Sequence, residues 1–384
     1  MRIITSYFKI ASVLALVLTF ILPLQAQQTI YGSIQHDGLE REYILYVPAS
    51  YSSNTPVPLV LNFHGYTSNA FEQMFYGDFR SIADTAGFLV VHPMGTIDLV
   101  GNAHWNVGWG TSSVDDVGFT SALIDSLSAQ YNINQDRVYS TGMSNGGFMS
   151  YYLACELSDR IAAIASVTGS MNVNELGPCD PQHQTPVMEI HGTADPTVAY
   201  DGNILFAPIP TVINYWVDYN NCNTPADITA LPDTDPNDGC TAEHHVYTNG
   251  TNGASVEHYK IIDGLHTWPG SAFGGVGTNQ DMDASKEIWR FFSKYDIHGL
   301  IIPTAIHETA PENAISIYPN PANWNVTIET QSNETFPYTI TNMMGQEIIS
   351  GHTQAQRNVI DIHSFPVGVY IIKIENQTFV IAKQ

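Results

Sequence analysis

Two hydrophobic rhythms divide the chain. From Tyr43 to about Asp296, short apolar runs alternate with longer stretches of helical spacing. Leu59-Val60-Leu61-Asn62-Phe63, Phe88-Leu89-Val90-Val91 and Val187-Met188-Glu189-Ile190 read as buried strands, and Arg137-Val138-Tyr139-Ser140 as a shorter one. Helices are predicted over 116–131, 145–157, 209–219 and 284–295. Strands interleaved with helices predict a mostly parallel sheet covered on both faces. In such sheets, catalytic groups gather at the carboxyl ends of the strands. After about Gly299 the helical spacing stops. Leu300 to Asn313 reads as a linker. Short β segments follow at Val326-Thr327-Ile328, Tyr338-Thr339-Ile340, Val359-Ile360-Asp361-Ile362 and Val369-Tyr370-Ile371-Ile372, with turn signals between them. Closely spaced strands of this kind predict a small all-β sandwich.

The N-terminus has a third character. Arg2 and Lys9 precede an apolar run from Ile10 to Leu24, and Ala26 ends a short polar exit. That is the layout of a removable secretory signal, expected over residues 1–26. The run is short for a spanning anchor, and no later segment has 18 consecutive apolar residues. Stable membrane insertion is therefore not expected. Composition then narrows the function. Across 384 residues, 44% are apolar, enough for a packed core, and 13 Lys plus Arg face 37 Asp plus Glu, a net charge of −24. Without residues 1–26 the balance is 11 against 37, or −26. So acidic a chain neutralises few phosphates, which excludes nucleic acid as a natural partner.

An exported chain meets an oxidising compartment, where four cysteines suggest two disulfides. They stand at Cys155, Cys179, Cys222 and Cys240. Of three connectivities, the sequential one, Cys155–Cys179 with Cys222–Cys240, closes loops of modest length and is the expectation. No Cys-x-x-Cys pair suggests a metal. Asp233-Thr234-Asp235-Pro236-Asn237-Asp238-Gly239 begins like a calcium loop, but its glycine is one place late and no Glu stands at the twelfth position. No metal and no cofactor are expected.

The sharpest chemical signal is Gly142-Met143-Ser144-Asn145-Gly146, between the strand at 137–141 and the helix at 145–157. Gly-x-Ser-x-Gly in a strand–turn–helix setting is a nucleophile elbow. Serine needs a base and an acid to orient that base, and in this setting the acid and then the histidine follow in the chain. Asp195, in His191-Gly192-Thr193-Ala194-Asp195, directly follows a strand, whereas Asp180 and Asp201 do not. Among His244, His245, His258 and His266, the last sits in the loop after the Val256–Ile262 strand, where a base returns over the sheet. The expected triad is Ser144, Asp195 and His266. Oxyanion donors are expected at the backbone N–H of Asn145 and of Tyr66, the latter in Asn62-Phe63-His64-Gly65-Tyr66. His64 is then assigned local hydrogen bonding and no proton transfer.

These motifs, with Asp115-Asp116-Val117-Gly118-Phe119 and His266–Gly270, occur in an order that resembles the polyhydroxybutyrate depolymerase family of secreted esterases. That family is related to the feruloyl and acetylxylan esterases of carbohydrate esterase family 1. The resemblance covers about residues 29–296. It implies an α/β-hydrolase fold, a serine carboxylic-ester hydrolase, the triad above, and a Cys155–Cys179 disulfide. Leu265 departs from the usual Gly or His before the base. Tyr318-Pro319-Asn320-Pro321-Ala322, Asn342-Met343-Met344-Gly345-Gln346 and Pro366-Val367-Gly368-Val369-Tyr370 resemble a type IX secretion C-terminal sorting domain. This second resemblance implies the type IX machinery as partner, and export through the periplasm to the cell surface or medium.

The expected division is thus a signal peptide at 1–26, a hydrolase domain at 27–298, a linker at 299–314 and a sorting domain at 315–384. The substrate is read as an ester, polymeric or from plant cell wall. Trp105, Trp109 and Trp268 are candidates to stack on a phenolic acid or sugar, against the alternative of core packing. Competing readings are a peptidase or lipase on the same fold, and a binding protein on a dead hydrolase scaffold.

Overall fold

A computed structural model describes residues 27–301, 315–330, 334–342, 345–354, 356–374 and 377–384. The expected leader and most of the expected linker, 302–314, lie outside these residues. Contacts divide the chain into two units, one up to Ile301 and one from Ile302.

The first unit opens with a hairpin, β1 (Gln28–His36) and β2 (Leu39–Val47), which the sequence reading did not anticipate. Its turn is Asp37-Gly38, with φ of 49° and 76°. Positive φ at both central residues matches the twist of the strands, and Asp-Gly supplies it at little cost. Next come β3 (Val57–Phe63), α1 (Ala70–Tyr76), α2 (Arg80–Ala86), β4 (Leu89–Pro93) and a small hairpin of β5 (Thr96–Ile97) with β6 (Ala103–His104). After these follow α3 (Asp116–Ser128), β7 (Ile133–Met143), α4 (Asn145–Glu156), β8 (Ala163–Val167), β9 (Val187–Gly192) and α5 (Ile209–Tyr219). The series ends with β10 (Asp227–Ala230), β11 (Thr241–Tyr247), β12 (Val256–Ile262) and α6 (Ala284–Phe292).

Ten of these strands form one sheet in the order β1-β2-β4-β3-β7-β8-β9-β12-β11-β10. The six from β4 to β12 in that order run parallel, and antiparallel pairs flank them at either edge. Every residue of β3, β4, β8 and β9 is buried, so their apolar runs need no alternation. The period of two still sorts them between two cores. Leu59, Leu61 and Phe63 of β3 face one core with α3, α4 and α5, while Val60 faces the other with α2 and α6. β8 escaped the sequence reading because Ala-Ile-Ala-Ser-Val has weak strand propensity and gains its place by burial. Among the described residues, no helix is long and apolar enough to cross a membrane.

The second unit consists of two antiparallel sheets. One joins Ile315–Tyr318, Asn325–Thr330 and Arg357–Asp361. The other joins Glu347–His352, Pro337–Asn342, Gly368–Ile374 and Gln377–Lys383. Val326, Ile328, Ile340, Ile362 and Ile372 form a common core, all fully buried, which makes the pair of sheets a small sandwich. Trp324 lies outside that core, 66% exposed and stacked on His363.

Candidate active site

Ser144 stands between β7 and α4 with φ 54° and ψ −120°, a strained conformation for a non-glycine residue. The turn closes because its neighbours lack side chains. A Cβ on Gly142 would come 2.5 Å from the Phe63 carbonyl oxygen, and one on Gly146 would come 2.2 Å from the same atom. Gly147 plays a similar part toward β8, where a Cβ would meet the Ser166 hydroxyl at 2.7 Å. The glycines thus serve close packing around the elbow, and the serine carries the strain.

Asp195 follows β9 and is buried. Its Oδ1 accepts from the Thr197 and Val198 N–H groups at 2.8 and 2.9 Å, and its Oδ2 accepts from His266 Nδ1 at 2.7 Å. His266 lies in the loop after β12 and is partly exposed. With Nδ1 donating to the carboxylate, Nε2 is free to accept a proton. Ser144 and His266 line one cavity of about 660 Å³, together with Tyr66, Phe71, Phe75 and Phe273. Gly65 approaches the same serine, since its Cβ would lie 3.4 Å from Ser144 Cβ.

His64 is fully buried, and burial pushes its pKa down to about 4. The neutral ring donates from Nδ1 to the Gly65 carbonyl at 2.7 Å and accepts the Gly95 N–H on Nε2 at 3.0 Å. It acts on the backbone, as the sequence reading assigned.

Residues 41–205 match the family model described as esterase PHB depolymerase, and residues 316–384 match the secretion system C-terminal sorting domain. The esterase match contains Ser144 and Asp195, and His266 lies beyond it. The chain is 27% identical over 274 residues to a bifunctional acetylxylan esterase/xylanase of Neocallimastix patriciarum, covering 71% of this chain and 36% of that protein. It is 28% identical over 222 residues to feruloyl esterase B of Piromyces equi, covering 57% and 40%. The chain therefore spans well under half the length of these relatives. An acetyl xylan esterase from Aspergillus awamori superposes with a TM-score of 0.51 at 13% identity, over 70% of this chain and 99% of that one. At that identity the likeness shows the fold.

Two expectations require correction. Cys155 and Cys179 form a disulfide, but Cys222 and Cys240 are both free. They sit at opposite ends of β11. Cys222 is next to Asn223, whose N–H meets the Thr248 carbonyl beyond the strand's last residue, and Cys240 precedes its first. About eight residues of extended chain put them roughly 25 Å apart, whereas a disulfide needs Cα atoms within about 7 Å. Trp268, expected at substrate, is instead a core residue of the first unit. It is 1% exposed, edge-on to Phe79, with its N–H on Ser285 Oγ at 3.2 Å. Trp105 is likewise buried, though it borders a second cavity of about 440 Å³ with Tyr66, Asn145 and the half-buried Trp109. The Asp233–Gly239 segment is a turn tied down by Asp281, which accepts the Thr234 N–H at 2.6 Å.

The sequence reading missed Glu189 and His191 of β9. Both are fully buried, with His191 Nδ1 2.8 Å from Glu189 Oε1. His191 Nε2 lies 2.8 Å from the Val198 carbonyl and 3.4 Å from Asp195 Oδ2. A carbonyl only accepts, so Nε2 carries a proton, and a second proton is shared toward Glu189. Burial opposes the His191 cation, but the bond to Glu189 and its charge outweigh that and raise the pKa. The available signal was a Glu inside an otherwise apolar strand with a His two residues on, hence on the same face.

Proposed function

We propose that this protein is an exported serine carboxylic-ester hydrolase. Ser144 is the nucleophile, His266 the base, and Asp195 the group that holds the base. The observation that carries the reading is the 2.7 Å bond from His266 Nδ1 to buried Asp195, with His266 lining one cavity with strained Ser144. Ser144 Oγ attacks the ester carbonyl while His266 Nε2 takes its proton. The N–H groups of Tyr66 and Asn145 receive the developing oxyanion. The imidazolium, steadied by Asp195, protonates the departing alcohol. Water then enters, gives its proton to the same nitrogen and releases the acid from Ser144.

Supported substrates are polymer-derived or plant cell-wall esters. The apolar lining of the cavity suits such acyl or aryl groups, and the matched relatives carry acetylxylan and feruloyl esterase names. The sorting-domain match supports release to the cell surface or medium, with the type IX machinery as the export partner.

Ser144→Ala should abolish turnover of a p-nitrophenyl short-chain ester and labelling by a fluorophosphonate while leaving the circular dichroism unchanged. Retained turnover in that folded variant would remove the assignment. A panel of methyl ferulate, acetylated xylan, polyhydroxybutyrate and a long-chain triglyceride reads the substrate class. Cleavage of the triglyceride alone would favour a lipase.

A further inference from the structure

The two proposed oxyanion donors belong to elements far apart in sequence, the loop after β3 and the start of α4. Their spacing must therefore be set by something that touches both. Trp105, just after β6, does so with two separate parts. Its indole N–H donates to the His64 carbonyl at 2.9 Å. Its main chain is gripped by the Asn145 side chain, with Trp105 N–H on Oδ1 at 2.7 Å and Nδ2 on the Trp105 carbonyl at 3.2 Å. The ring also stands edge-on to Phe63 and lies 5.0 Å from the His64 ring.

These bonds bear directly on the donor atoms. The indole fixes the His64–Gly65 peptide, and His64 Nδ1 fixes the carbonyl of the next peptide, Gly65–Tyr66. In a trans peptide the N–H points opposite to the C=O, so holding the Gly65 carbonyl aims the Tyr66 N–H. On the other side, the Trp105 main chain holds the side chain of Asn145, whose own backbone N–H is the second donor.

Trp105 is itself anchored from behind. Asn106 N–H donates to Asp116 Oδ2 at 2.8 Å, and Arg41 Nη2 meets Asp116 Oδ1 at 2.6 Å. Arg41 and Asp116 are both buried, and the guanidinium lies 3.9 Å over the Phe119 ring. The Asp115–Phe119 motif, which the triad leaves without a part, thereby acquires one.

We infer that Trp105 is a positioning residue that sets the separation of the Tyr66 and Asn145 donors, with the Arg41–Asp116 pair as its anchor. The inference rests on Ser144 being the nucleophile. Trp105→Phe in the full chain keeps the apolar body and removes the indole N–H. Misplacing a transition-state donor lowers kcat and spares ground-state binding. With p-nitrophenyl acetate, kcat should fall by roughly tenfold to a hundredfold, while KM stays within about twofold. Asn145→Ala releases the other arm and gives the same split should Trp105→Phe not fold. Because both arms hold one spacing, the double variant should lose less than the product of the two single losses.

A raised KM with kcat preserved would overturn the inference and return Trp105 to substrate binding. Unchanged kinetics with a lowered melting temperature would overturn it in favour of packing alone. Failure of the wild-type protein to take a fluorophosphonate on Ser144 would instead mean that the esterase reading had failed.

Discussion

At the scale of single residues, the proposed site depends on where protons sit. Asp195 accepts three hydrogen bonds and has a buried histidine beside it. Two backbone N–H groups and His266 bond to it at 2.7–2.9 Å, and His191 Nε2 stands at 3.4 Å. The carboxylate is thus pinned on both oxygens before the imidazolium forms. Asp195→Asn offers an amide N–H to His266 Nδ1 and drives the ring proton to Nε2, the nitrogen that must accept from Ser144. In the established serine triad this tautomer switch costs about 10⁴-fold in kcat. A loss of that order, with little change in melting temperature, is expected here when ester turnover is measured. Activity within threefold of the parent would show that Asp195 does not orient the base.

At the scale of elements, the Cys155–Cys179 disulfide ties the last turn of α4 to the loop that leads into β9. The two halves are 24 residues apart. Closing a loop of that size in the unfolded chain corresponds to about 3 kcal/mol in the entropic picture. Cys222 and Cys240 belong to the opposite ends of β11 and have no such role. Burial and the neighbouring Asp238 push the Cys240 thiol up to about 12. It should resist modification in the native protein. Thiol titration of the denatured, unreduced protein should therefore find two thiols, and fewer in the native protein. Finding none would restore the second disulfide, and finding four would remove both. Replacing Cys155 and Cys179 together by Ala should lower stability to urea by about the same 3 kcal/mol.

At the scale of the whole molecule, the buried histidines set the response to acid. Burial holds His64 at about 4 and both His92 and His258 at about 3. In the unfolded chain each titrates near 6.5. Between those values the unfolded state binds protons that the native state refuses, so stability is present above about pH 6.5 and falls as pH falls. Glu257 adds to this lower down. Burial works against its charge, but bonds from His244 and Arg290 and the field of Lys294 hold it at about 2. Its contribution is complete above about 4.5 and is lost as pH falls through 2. His191 acts in the other direction, because its raised pKa contributes stability that is lost as pH rises through the folded value. The summed expectation is a urea midpoint that drops steadily from pH 6.5 to 4. A midpoint that held constant or rose over that interval would contradict the buried neutral state of these rings.

Local chemistry was legible in the sequence wherever one residue type is demanded by one conformation. Gly-Met-Ser-Asn-Gly after an apolar run dictates an elbow, because the Phe63 backbone leaves no room for a Cβ on either glycine. Apolar runs of strand length dictated β3, β4 and β9, and helical spacing dictated α3 to α6 to within a few residues. The order Ser144, Asp195, His266 followed from position after strands. What depends on approach between distant segments was not legible. The charge pair Glu189–His191 looks like part of a buried strand until the fold brings Val198 and Asp195 to its edge. Cysteine parity suggested two bridges, but the length of β11 forbids the second. The tryptophans carried the least information. An indole offers a stacking face and one N–H donor, and which of them is used depends on its surroundings. Tertiary structure buried Trp268 against Phe79 and turned the Trp105 N–H onto the His64 carbonyl. The sequence by itself determined the fold class and nominated the candidate reacting groups, because those rest on periodicity and local turns. The spacing of the proposed donors around Ser144 was decided by packing alone, because it joins elements with no neighbourhood in the chain.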